Sequence, residues 1–251
     1  MTKLKLIFLC IIYCGCSEIT EKQDIPSPPV WVEKSRPEDL EEKGIDAHNV
    51  NLIYPDRNSI KLMWHPNPEE DIWKYHVYRT NQMDEENKPI DFSNILTTED
   101  DTLFYDEEVY YYFKYYYYLK AENFEGIESN ASETIFYTLL RKPQAISVSD
   151  SVHFQQMQFQ WIETSGGSYV PSGYIIRINN EFSESIWTCE IQPPGYFSLR
   201  TFNYSPGGID CLEHNGIIGY LDPGEYYWKV KSLLHDQASA ESNWVEINII
   251  D

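Results

Sequence analysis

Positive charge is scarce in this chain. Of its 251 residues, 19 are lysine or arginine and 40 are aspartate or glutamate, a net charge of −21. Such a surface repels nucleic acid and anionic lipid headgroups, so neither is an expected partner. Nowhere does an apolar run reach the roughly 18 residues that a spanning helix needs. Catalytic signatures are missing too. The six histidines (His48, His65, His76, His153, His214 and His235) include no two at a spacing useful for a metal or a proton relay. Neither Gly-x-Ser-x-Gly, a phosphate-cradling glycine loop nor His-Glu-x-x-His occurs. Carboxylates are so abundant that a pair can always be drawn, and abundance is not evidence. The expectation is a non-enzymatic protein without a cofactor, with a hydrolase as the weak alternative.

Helical periodicity is also lacking, apart from one turn's worth over residues 37–43. What is present is alternation. Ile60, Leu62 and Trp64 alternate with Lys61 and Met63, Tyr75 and Val77 with His76, and Tyr115, Tyr117, Leu119 and Ala121 with Tyr116, Tyr118 and Lys120. Period two in β-branched and aromatic residues predicts half-buried strands. Aromatics make up 15% of the chain, enough to fill a core.

The pattern is written twice. Trp64, then Tyr75-x-Val77, then Tyr115-x-Tyr117-x-Leu119 is matched by Trp161, Tyr174-x-Ile176-x-Ile178 and Tyr226-x-Trp228-x-Val230. A repeat of about 100 residues has the length of one β-sandwich domain. The expected fold is therefore all-β, two tandem immunoglobulin-like sandwiches over residues 28–140 and 141–251, joined near residues 140–143. Residues 17–27 are polar and charged and read as a flexible tether.

Two resemblances follow. The segment from Trp64 through His65, Pro66, Asn67, Pro68, Glu69, Glu70, Asp71, Ile72, Trp73 and Lys74 to Tyr75 and Arg79 resembles the B–C region of bacterial fibronectin type III domains. Tyr115 to Ala121, followed by Gly126, resembles that family's F strand and F–G turn. Leu221-Asp-Pro-Gly-Glu-Tyr226 resembles its tyrosine corner. The family shares no catalytic residues, and similar domains accompany polysaccharide-active proteins. At the N-terminus, Lys3 and Lys5 precede an apolar stretch that ends in Gly15-Cys16. This arrangement resembles a bacterial lipoprotein signal over residues 1–16. It implies that Cys16 is lipidated and that the lipid is the only membrane contact, with plain secretion as the alternative. Ser17, rather than Asp, after the lipidated cysteine favours the outer membrane.

Of the five cysteines, Cys10 and Cys14 would leave with the signal. Cys189 and Cys211 remain, an even count in an oxidising compartment. They form a disulfide or are two separate buried thiols, and nothing near them has zinc-ligand spacing. In the resembled fold three loops gather at one pole of the first sandwich. They carry Glu69, Glu70 and Asp71, then Glu99, Asp100 and Asp101, then Glu125 and Glu128. Glu69, Glu70, Asp71, Asp100 and Asp101 are weak calcium candidates, because hard oxygens suit that ion. The bland alternative is a solvated rim. Tyr110, Tyr111, Tyr112 and Phe113 fall where a turn is expected, and turns seldom hold aromatics. They are read as a contact covered by the second sandwich, or else as a platform for sugar rings. An insertion over residues 190–216, with Tyr196, Phe197, Phe202 and Tyr204, is read as a stapled loop that fills the joint or binds a ligand. The functional expectation is a lipid-anchored envelope binding or spacer protein with a glycan or protein partner. The alternative is an accessory or structural subunit of a surface, secretion or polysaccharide-processing assembly.

Overall fold

A computed structural model describes residues 25–34, 43–48, 58–99, 101–146, 151–153, 156–164, 170–193, 199–204, 211–216, 221–234 and 239–250. Among these the regular structure is β. The first half contains β1 (Val30–Trp31), β2 (Asp46–His48), β3 (Ser59–His65), β4 (Ile72–Thr80), β5 (Gln82–Met83), β6 (Pro89–Ile90), β7 (Ser93–Thr98), β8 (Leu103–Asp106), β9 (Lys114–Asn123) and β10 (Ile135–Thr138). One sheet has the order β1-β3-β2 with β8 beside β3; the other has the order β10-β9-β4-β7. Ile60, Leu62 and Trp64 on β3 face Tyr75, Val77, Tyr115, Tyr117, Leu119 and Ala121 on β4 and β9, and all are buried in one core. The expected alternation is what places them there. β1 and β2 both run along β3, with Trp31 opposite Trp64 and Ala47 opposite Ile60. They are one edge strand interrupted by an excursion. Gly44 closes the excursion at φ +75°, where a Cβ would lie 2.5 Å from the Glu33 carbonyl oxygen, so only glycine fits.

The second half contains β11 (Gln144–Ile146), β12 (Ser151–His153), β13 (Gln158–Ile162), β14 (Gly173–Asn180), β15 (Ser185–Ile191), β16 (Leu199–Asn203), β17 (Glu213–Gly216), β18 (Gly224–Leu233), β19 (Ser239–Glu241) and β20 (Val245–Ile250). A β11-β13-β16 sheet packs on a larger sheet of order β12-β20-β18-β14-β15-β17, with β19 also beside β18. Its core is aromatic: Phe159, Trp161, Tyr174, Trp187, Tyr204 and Trp228 are all buried. The fold is thus two tandem β-sandwiches, each with its own core. In both halves a serine after the long strand, β9 or β18, bonds back to that strand's middle. Ser132 Oγ accepts from the Leu119 N–H at 2.9 Å, and Ser242 Oγ accepts from the Val230 N–H at 3.0 Å. In both places the strand after the turn breaks step, and a hydroxyl stands in for the missing carbonyl. The tyrosine corner is present, with the Tyr226 hydroxyl donating to the Asp222 carbonyl at 3.0 Å.

Two expectations are corrected. The segment after Glu190 is not simply a loop: it contains β16, which pairs with β13, and β17, which lengthens the larger sheet beside β15. Tyr204 and Phe202 pack into the second core rather than the joint, with Tyr204 5.2 Å from Trp187. Tyr196 and Phe197 lie outside the described residues, as do residues 37–42 of the expected helical turn. The other correction concerns Tyr110 and Phe113, which remain 64% and 51% exposed and so are not covered by the second sandwich.

Cys189 and Cys211 form a disulfide with a Cα–Cα separation of 5.4 Å. It ties the segment leading into β17 to the core-facing side of β15. In the chain-entropy account, closing a loop of this size contributes about 3 kcal/mol.

The joint between the halves is polar and buried. β2 of the first sandwich meets β19 of the second. There the Lys231 Nζ lies 2.7 Å from Asp46 Oδ2 and 3.8 Å from Glu241 Oε1, and Lys229 lies 2.8 Å from Glu241 Oε2. All four side chains are buried. The Tyr137 hydroxyl donates to Asp46 at 3.0 Å and accepts from the Ala47 N–H at 2.7 Å, fixing the carboxylate from the first-sandwich side.

Candidate binding face

The outward positions of β4, β9 and β10 build a second aromatic layer, this one facing solvent. Register decides its composition: Tyr78 stands opposite Tyr118, Thr80 opposite Tyr116, and Tyr116 opposite Phe136. Directly opposed residues on one face of an antiparallel pair bring their side chains into contact. The Tyr78 and Tyr118 rings therefore stack at 4.7 Å and 16°, and Phe92 leans on Tyr118 at 4.7 Å and 55°. Tyr116 meets Phe136 at 6.0 Å and donates to the Met83 sulfur at 3.5 Å, while the Lys114 ammonium sits 3.9 Å over the Phe136 ring. Each of these rings is only half-buried. The inner layer of the same strands fills the core, so this outer row forms a separate layer at the surface.

A polar lip borders the row. His76 Nε2 lies 2.7 Å from Glu122 Oε2, and its Nδ1 lies 2.9 Å from Thr97 Oγ1. With the Nε2 N–H donating to the Glu122 carboxylate, Nδ1 accepts from the Thr97 hydroxyl or from Asn94 Nδ2 at 3.3 Å. The chain hydroxyl–imidazole–carboxylate is that of a nucleophile, base and orienting acid. Thr97 sits exposed on β7, so this group lies at the solvent-facing border of the row. Lys120, opposite His76, pairs with Glu128 at 2.7 Å, which raises the ammonium's pKa. Burial and then the neighbouring Tyr78 raise the pKa of Tyr118, so its hydroxyl is a neutral donor across the physiological range. Below the face, Arg79 meets Asp106 at 2.6 Å. Burial works against its charge, but Asp106 outweighs that and the pKa of Arg79 is raised. The Tyr117 hydroxyl donates to the same carboxylate at 2.9 Å, and burial drives its pKa well above the ordinary tyrosine value.

The residues singled out from sequence lie elsewhere. Tyr110 and Phe113 make an exposed edge-to-face pair at 6.4 Å, and Tyr110 borders a shallow 200 Å³ pocket with Arg79 and Glu108. Tyr111 packs against the first core, and the Tyr112 N–H donates to the Leu139 carbonyl at 2.8 Å. Tyr112 takes a φ of +69°, a left-handed backbone that ordinarily favours glycine. At the acidic pole, Phe124 N–H donates to the Asp71 carbonyl at 3.1 Å, joining two of the three loops. Glu69 accepts from the Ser27 N–H at 2.8 Å, which pins the segment entering the first sandwich; hydrogen bonding to the Ser27 side chain, and then to its backbone, lowers the Glu69 carboxyl pKa. Asp101 accepts from the Thr98 hydroxyl at 3.0 Å. Asp100 lies outside the described residues. Among the described residues no group of three potential ligands comes within reach of one metal ion. Cys16 also lies outside them. Sequence alternation already separates Tyr116 and Tyr118 from the core. What it does not supply is the register that sets Tyr78 and Phe136 beside them.

No protein-family model matches the chain, and no curated protein does. Among solved structures the chain is similar to the crystal structure of chicken CNTN1 FN1-FN3 domains. The identity is 12% and the TM-score 0.32, and the match covers 90% of this chain and 69% of that chain.

Proposed function

We propose that the protein is a non-catalytic binding module of fibronectin type III-like sandwiches, held at a bacterial envelope by lipid on Cys16, that takes neutral glycans on the outer face of β4, β9 and β10. The observation that carries this reading is the solvent-facing row Phe136, Tyr116, Tyr118, Tyr78 and Phe92. A sugar ring presents a face of weakly positive C–H groups to the negative face of an aromatic ring, and its hydroxyls need donors and acceptors at the margin. The row supplies the first, and His76, Asn94, Thr97 and Lys120 supply the second. A net charge of −21 argues against polyanionic glycans. The buried ionic joint supports a spacer role beside binding, because it holds the two sandwiches at one angle.

Two results are expected. Titration of neutral oligosaccharides into the full chain releases heat, and Tyr118→Ala weakens binding by at least about tenfold, or about 1.4 kcal/mol. Tyr118→Phe keeps the stacking surface and most of the affinity. Equal binding by wild type and Tyr118→Ala removes this face from the reading. Cells fed a palmitate analogue label the wild type and leave Cys16→Ser unlabelled; equal labelling of both disproves the anchor.

A further inference from the structure

The first sandwich carries a pocket of about 200 Å³ at the end where β4 passes into β5 and β8 into β9. Arg79 lines it, and the fold holds that side chain in place. Its bonds to Asp106 Oδ1 at 2.6 Å, Asp106 Oδ2 at 2.7 Å and the Glu108 carbonyl at 3.1 Å all leave from Nη1. Among the described residues Nε and Nη2 have no hydrogen-bond partner, so a guanidinium already fixed by its ion pair still has donors to offer. Asp91, Glu108, Ser93 and Asn81 line the same pocket, and all four are exposed. The walls are braced. The Thr80 hydroxyl donates to the Ile90 carbonyl at 2.6 Å and accepts from the Gln82 N–H at 3.0 Å, closing the base of the β5–β6 hairpin. Asp91 takes a left-handed φ of +54° where the chain turns from β6 into β7, a backbone imposed by its surroundings. Tyr110 is the aromatic part of the lining. Its ring is exposed beside Phe113, and its N–H is tied to the hydroxyl of the buried Tyr115 at 2.9 Å.

The mixture of groups selects the ligand. An anion has no hydrogen for the carboxylates of Asp91 and Glu108, and an ammonium has no lone pair for the donors of Arg79. A hydroxyl has both. Paired hydroxyls on a ring with an apolar C–H face also suit the Tyr110 ring. The volume falls below the roughly 300 Å³ at which pockets for drug-sized molecules begin, so the occupant is one ring rather than a chain. We infer that this pocket is a second carbohydrate site, taking a single neutral sugar ring whose hydroxyls accept from Arg79 and donate to Asp91 and Glu108 while its C–H face rests on Tyr110. The site shares no side chain with the row Phe136, Tyr116, Tyr118, Tyr78 and Phe92. Arg79 follows Tyr78 on β4, and successive residues of a strand point to opposite faces, so the pocket lies behind that row and binds independently of it.

The probes are the methyl glycosides of glucose, galactose and mannose, with methyl glucuronide as an anionic analogue and methyl glucosaminide as a cationic one. Each is titrated into the isotope-labelled full chain and followed by amide and arginine Nε–H NMR. Expected for a neutral glycoside are saturable shifts of the Arg79 Nε–H and of amides in residues 79–82, 91–93 and 108–110, with a Kd on the order of 1 mM. Tyr110→Ala, altered at an exposed ring, weakens binding at least about fivefold. Arg79→Lys keeps a cation beside Asp106 but loses the Nε and Nη2 donors, and binding falls with them. The inference is overturned by any of four results. These are no saturable shift up to about 50 mM of any neutral glycoside, tighter binding of a charged analogue than of every neutral one, shifts centred on Tyr78 and Tyr118, or wild-type affinity in Tyr110→Ala.

Discussion

Trp64→Ala and Trp161→Ala each destabilise their own sandwich by about 3–5 kcal/mol, in the range of large-to-small core truncations. Trp64 is 2% exposed and sits edge-on to Tyr75 at 5.7 Å and to Trp31 at 6.4 Å; Trp161 is fully buried, 5.0 Å from Tyr174. Removing either indole leaves a hole walled by rigid rings, which cannot collapse far, so the cavity adds to the lost burial. One feature moderates the cost. Among the described residues neither indole N–H has a hydrogen-bond partner, and a buried unmet donor costs about 1–3 kcal/mol. Phenylalanine removes that donor with only part of the ring, so Trp64→Phe and Trp161→Phe lose less than the alanine variants. Denaturant unfolding followed by tryptophan fluorescence separates the cases. Because the cores are distinct but joined through Asp46 and Lys231, each alanine variant lowers the midpoint of its own sandwich most and shifts the other less. An unchanged midpoint for either alanine variant shows that its tryptophan supports no core.

These cores were the legible part of the molecule. Residues 60–64, 75–77 and 115–121 announce strands because apolar and polar positions alternate, and their repetition near residues 157–161, 174–178 and 226–230 announces the second sandwich. Where the inward side chain is charged, the signal disappears. β16 pairs with β13 through Trp161 opposite Arg200, and Arg200 is buried, so the segment reads as part of a polar loop. The aromatic face was half legible. Alternation assigns Tyr116 and Tyr118 to the outer side, but only strand register brings Tyr78, 40 positions earlier, against Tyr118. The run Tyr110, Tyr111, Tyr112 and Phe113 drew attention instead, because four aromatics in a turn violate local preference. Its structural answer is local: one ring packs on the first core, and the backbone of Tyr112 is tied to Leu139. The joint was illegible altogether. Asp46 and Lys231 are 185 positions apart, and isolated charges read as surface.

Asp46→Ala uncouples the two sandwiches. In the closed joint Asp46 gives Lys231 its 2.7 Å partner, and without it the carboxylate next to the ammonium among the described residues is Glu241 at 3.8 Å, which Lys229 already engages at 2.8 Å. Stranding one member of a buried ion pair costs about 3–5 kcal/mol. The Tyr137 hydroxyl loses its acceptor in the same step. Opening the joint hydrates Lys231 and removes most of that penalty, so the variant opens rather than unfolds. The expected signature is an increased radius of gyration in small-angle scattering with the far-ultraviolet dichroism unchanged. Thermal unfolding also becomes independent for the two halves. Ionic strength has little influence on the wild-type joint, because buried pairs are weakly screened. Adding Lys231→Met to Asp46→Ala removes the stranded charge and restores closure in part, since replacing both members of a buried pair by apolar groups is often neutral. If Asp46→Ala leaves both the scattering profile and the coupling intact, the joint is held by something other than this ion pair. If the double variant opens as far as the single one, attraction across the pair outweighs the cost of burying its charges.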